Sequence, residues 1–84
     1  MNKFKVVFFA SLRESLGIAE TELEMLQDMT VAKLKSHLAQ KLPNGELLLQ
    51  SGIQASIDFE FARETDVVTV QTTEVAFFPP VTGG

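Results

Sequence analysis

Apolar positions early in the chain follow one another almost without a break. Residues 3–10 read KFKVVFFA, β-branched and aromatic and closing on a continuous apolar stretch, which predicts a strand covered on both faces. Residues 11–17 (SLRESLG) change period: Ser11 and Glu14 have the spacing of a capping box, Leu12 and Leu16 share a face, and Gly17 suits a C-terminal cap, so a short helix is expected. Residues 21–26 alternate, Leu23 and Met25 against Glu22 and Glu24, a half-buried strand pattern expected beside the first strand. Thr30 offers an N-cap with Asp28 just upstream, and Val31, Leu34, Leu38 and Leu42 recur at helical spacing until Pro43 ends the main helix. Asn44-Gly45 marks a turn, after which residues 46–51 fit either a helical turn or a short strand.

The strictest alternation is Ile53, Ala55, Ile57, Phe59 and Phe61, which predicts a strand within residues 53–61. A polar connection over residues 63–66, a short β-branched run at 67–70 and a turn at 71–73 follow. Residues 74–78 form a last strand, stopped by Pro79-Pro80. Neighbours in a strand point to opposite faces, so one of Phe8 and Phe9, and one of Phe77 and Phe78, belongs in the core; Phe9 and Phe78 are expected outside, as an apolar patch for a partner to cover. One long helix over one mixed sheet is a two-layer α+β domain. The commonest small architecture with this element order is the β-grasp, or ubiquitin-like, fold, whose first and last strands pair in parallel at the centre. Residues 1–78 make up that domain and residues 79–84 an extended tail.

Composition narrows the function. With 84 residues there is one domain and one small core, which leaves little room for an enclosed active site, so a partner protein is expected before a self-contained enzyme. The absence of cysteine removes disulfides, thiolate metal sites and cysteine nucleophiles, and fits a reducing compartment. A single histidine, His37, cannot build a metal site alone and sits on the flank of the main helix away from its apolar stripe. Net charge −4 and pI about 4.8 argue against a nucleic-acid partner. The longest apolar run, residues 6–10, is too short to span a bilayer, and no leader pattern opens the chain, so a soluble cytoplasmic protein with no membrane partner is expected. Glu20, Glu22, Glu24, Glu60, Glu64 and Asp66 fall on expected solvent faces, where they serve solubility and steering toward a basic partner.

The tail carries the distinctive chemistry. Pro79 and Pro80 fix φ and favour an extended arm that leaves the sheet, while Gly83 and Gly84 bring no side chains, so a terminal carboxylate there fits a passage too narrow for other residues. A bare carboxylate is a poor electrophile. Converted by ATP to an acyl-adenylate it becomes a good one, and a sulfur or amine nucleophile then displaces AMP. Two glycines alone are usually a frayed end. A Pro-Pro spacer following directly on the apolar strand Val75-Ala76-Phe77-Phe78 is not what a frayed end requires.

The closing string AFFPPVTGG, with Val75 before it, and the opening KVVFFASLRE over residues 5–14 together resemble the small-subunit (MoaD) family of molybdopterin synthase; the residues between match by pattern only. The resemblance implies a β-grasp sulfur carrier, not catalytic alone and holding no permanent cofactor or metal. Its terminal glycine would be adenylated by an E1-like enzyme of MoeB type, with ATP, and converted to a thiocarboxylate. The charged tail would enter a MoaE-type large subunit in a heterotetramer and give its sulfur to cyclic pyranopterin monophosphate to build the dithiolene. Carried over by motif, Gly84 would hold the thiocarboxylate, Gly83 would keep the channel open, and Pro79, Pro80, Val81 and Thr82 would form the inserted arm. Phe9 and Phe78 match interface aromatics, and Arg13 a position near the partner surface. One departure is Gln71-Thr72-Thr73, where many members have Asp-Gly before the last strand. The competing readings are a thiazole-pathway carrier (ThiS), a ubiquitin-like modifier that forms isopeptide bonds, and a plain binding module.

Overall fold

A computed structural model describes residues 2–25 and 27–80, except the side chains of Asn2 and Met25. Seven strands and two helices follow in the order β1 Asn2–Phe8, α1 Ala10–Leu16, β2 Glu20–Met25, β3 Met29–Thr30, α2 Val31–Lys41, β4 Gln54–Ile57, β5 Glu60–Ala62, β6 Val67–Val68 and β7 Glu74–Phe78. A 3-10 helix, Gly45–Leu49, lies between α2 and β4. The main sheet has the order β2-β1-β7-β4-β5, and β3 and β6 form a separate two-stranded ladder. β1 and β7 run in parallel with Phe8 opposite Phe77, and all other pairs are antiparallel. This topology is a β-grasp. No helix among the described residues is long and apolar enough to cross a membrane.

The core lies between the sheet and α2. Val6, Phe8, Val75 and Phe77 from the two central strands meet Val31, Leu34 and Leu38 from the helix, with Leu48 filling the space beside it. β1 supplies Phe4, Val6 and Phe8 at period two, the spacing that sends alternate side chains to one face. Leu42, the last member of the helical stripe, is half-buried. Thr30 caps α2 as its position predicts: its hydroxyl accepts from the Lys33 N–H at 3.2 Å. The ambiguous stretch after Asn44 is helical, and it packs so closely on α2 that a Cβ at Gly45 would stand 2.6 Å from the Leu38 carbonyl oxygen.

The first strand and the start of the helix after it depart from the expectation. The first strand ends at Phe8, and α1 begins at Ala10 with Phe9 as N-cap and no side-chain cap, so Ser11 and Glu14 make no capping box. The reason is a backbone bond from Phe9 N–H to the Phe77 carbonyl, 3.2 Å, which anchors the turn one residue earlier; Ala10, at φ +54°, then swings the chain off the sheet. The alternating run 53–61 contains the expected strand, β4, but does not continue as one strand to its end. It breaks at Asp58 and Phe59, both left-handed (φ +48° and +72°), into the β4–β5 hairpin. The run at 67–70 is strand only at Val67 and Val68, which pair with Thr30 and Met29.

Candidate functional site

The parallel pairing of β1 with β7 brings two consecutive phenylalanines of one strand end beside two of the other. Phe8 and Phe77 are buried and stack in the core, centroids 6.2 Å apart. Phe9 and Phe78 emerge on the opposite side and stack almost parallel, 4.9 Å apart and 3° between ring planes. Phe9 is 42% exposed and Phe78 half-buried. Phe61 from β5 leans on Phe78 at 6.3 Å and 50°. Phe59 completes a wall around a shallow cavity of about 180 Å³ whose floor is the cross-strand pair Ser56 and Ala76, with Glu74 at one edge.

Phe59 and Phe61 are the residues that sequence reading missed here, each 80% exposed. Their alternation with Ile57 and Ala55 continues the strand pattern and does not mark where the strand ends. The hairpin turn between Ile57 and Glu60 breaks that relation and leaves both rings in solvent beside Phe78. Two left-handed residues suit a tight hairpin, but a ring at the second position is strained. Asp58 holds the turn: its carboxylate accepts from the Thr73 hydroxyl at 2.7 Å, the Glu74 N–H at 2.9 Å and the Thr73 N–H at 3.0 Å, and its own N–H donates to the Glu74 carbonyl. Burial on its own would raise the Asp58 pKa; the hydrogen bonds from the Thr73 hydroxyl and from the Glu74 and Thr73 N–H groups outweigh it and hold the carboxyl below its ordinary value. Thr73, at the end of the 71–73 turn, thus ties the hairpin to the start of β7.

Lys35 is a second omission. It lies on the same face of α2 as the apolar stripe, one turn on from Val31, and its residue is 3% exposed. Its ammonium donates to the Ile53 carbonyl at 3.1 Å and pairs with Glu64 at 2.6 Å. Glu64 is therefore not only a solubilising acid, and helix, β4 entry and the 63–66 turn meet at one cation. His37 is exposed, as are Glu20, Glu22, Glu24, Glu60 and Asp66.

Of the other proposed site residues, Arg13 is exposed in the last turn of α1, the helix whose N-cap is Phe9. Pro79 is half-buried and Pro80 exposed, directly after Phe78, so the arm departs from the aromatic face. Val81, Thr82, Gly83 and Gly84 lie outside the described residues. The described part of the site offers an apolar surface and a point of departure for the arm. Among the described residues no three His, Asp or Glu side chains come together as a metal ligand set.

The sequence matches the ThiS family over residues 6–84. It is 38% identical over 80 residues to the molybdopterin synthase sulfur carrier subunit of Escherichia coli (strain K12), covering 95% of this chain and 98% of that protein. The protein of the same name from Haemophilus influenzae is 36% identical over 80 residues, covering 94% and 96%. Among solved structures, SAMP1 from Haloferax volcanii superposes with TM-score 0.80 at 24% identity over 99% of this chain and all of that one. The small archaeal modifier protein 1 from Methanosarcina acetivorans gives 0.74 at 24% identity over 100% and 98%.

Proposed function

Because this chain belongs to the ThiS family, we propose that it is a MoaD-type sulfur carrier, the small subunit of a molybdopterin synthase, loaded at Gly84. The observation that carries the reading is similarity over 95% of the chain to a carrier of that name, beside a family match that extends to residue 84. In the first step the Gly84 carboxylate attacks the α-phosphorus of ATP on an E1-like enzyme of MoeB type, forming the acyl-adenylate and releasing pyrophosphate. A sulfur nucleophile then displaces AMP, leaving the thiocarboxylate. The aromatic face around Phe9 and Phe78 docks on a MoaE-type large subunit, where the arm delivers sulfur to cyclic pyranopterin monophosphate. Two such deliveries supply the two sulfurs of one dithiolene. In this reading the acid–base groups for the transfer come from the large subunit.

The test is the intact mass of the protein before and after incubation with ATP, a MoeB-type enzyme and a sulfide source. Exchange of one oxygen for sulfur, localised to Gly84, is the expected result. An unchanged mass, with the enzyme active on the E. coli carrier, refutes the carrier reading.

A further inference from the structure

We infer that Gly52 is a positioning residue for the C-terminal arm: it is the surface against which Pro80 rests, and it sets the line along which the chain leaves the sheet. The β4–β7 register pairs Ala55 with Phe77 and Gln54 with Phe78. Continued by two residues on each strand, it sets Gly52 across from Pro80. Proline has no N–H to extend the ladder, so hydrogen bonding does not fix the direction of the chain at this point. Contact does. A Cβ built on Gly52 would lie 2.8 Å from the Pro80 Cβ and 3.5 Å from its Cγ, which means the ring packs directly on the Gly52 backbone.

The turn that holds Gly52 is itself held. The carbonyl of Ile53, the next residue, accepts from the buried Lys35 ammonium, and Lys35 is anchored on α2 and paired with Glu64. The arm therefore rests on a turn fixed from the opposite layer of the domain. Gly17 offers the contrast within the same chain. It is also left-handed, φ +78° against +91° for Gly52, but no atom of the described residues lies within 4 Å of where its Cβ would be. Glycine at 17 answers to backbone conformation alone; at 52 it answers to the arm as well.

The importance of the arm's direction rests on the carrier reading, but the direction itself is tested without partner or sulfur. The chain has no cysteine, so a nitroxide on Thr82→Cys labels one position, and its broadening of backbone amide signals maps where the arm points. The expected result is that Gly52→Ala changes the set of broadened amides while Gly17→Ala, with the same kind of backbone strain, leaves it as in the parent protein. An unchanged set in Gly52→Ala, or the same change in both variants, overturns the proposal. If Gly52→Ala fails to fold, Pro80→Gly removes the contact from the arm's side, and the proposal then stands or falls on whether the set changes there.

Discussion

The Lys35 ammonium, on a side chain 4% exposed, sits 2.6 Å from a Glu64 carboxylate on a side chain 62% exposed. The pair is asymmetric: the glutamate stands largely in solvent, while the lysine is buried and also donates to the Ile53 carbonyl. Lys35→Ala removes the donor to Ile53 and a buried aliphatic stem together and is expected to cost about 2–4 kcal/mol. Glu64→Gln should cost less than about 1 kcal/mol, as for exposed ion pairs. Urea melts of both variants check the ordering; equal losses would mean that the charge pair dominates instead of the carbonyl contact.

Asp58 gives a pH dependence of definite sign. Its folded-state pKa lies below the unfolded value, so its contribution is fully present above about pH 4, the ordinary aspartate range, and is lost as pH falls through the lower folded value. Asp58→Asn should therefore be less stable than the parent at neutral pH, and the gap should close on acidification. Thermal melts from pH 7 to pH 2 measure it; a gap independent of pH would show that the carboxylate charge is irrelevant to the turn.

Phe78→Ala should weaken binding to a MoaE-type large subunit by about 10- to 100-fold, the range for a central aromatic anchor. Phe59→Ala should weaken it less, because that ring is at the rim of the cavity. Calorimetric titration with the E. coli large subunit is the measurement. Wild-type affinity in Phe78→Ala would move the docking face elsewhere.

Gly45→Ala should destabilise the domain by about 1–3 kcal/mol through overpacking, since the added methyl would meet the Leu38 carbonyl oxygen and the Ala39 backbone. For a domain of this size that is a fall in melting temperature of roughly 4–8 °C per kcal/mol, read by circular dichroism. A neutral substitution would mean that the 3-10 helix can lift away from α2 freely.

What the sequence disclosed depended on the range of the interaction. Thr30 caps α2 because the cap and its acceptor are three residues apart, and the inward and outward phenylalanines at 8, 9, 77 and 78 follow from strand geometry alone. The parallel centre of the sheet followed from element order. Lys35 was hidden because its partners, Ile53 and Glu64, come from distant segments, and residue type places a lysine outside. The hairpin at Asp58 was hidden for the same reason. Alternation cannot register a turn whose stability comes from Thr73 and Glu74.

The central pairing of β1 with β7 also governs when the domain can exist. The sheet stays in two halves until residues 74–78 find residues 5–8, and closing the intervening chain costs about 4 kcal/mol of loop entropy before any contact repays it. During synthesis the first strand waits with an unsatisfied edge until the ribosome has released the last one. The same strand that closes the sheet carries Phe78 and leads into the arm. A chain cut short of β7 thus has neither a complete fold nor an arm.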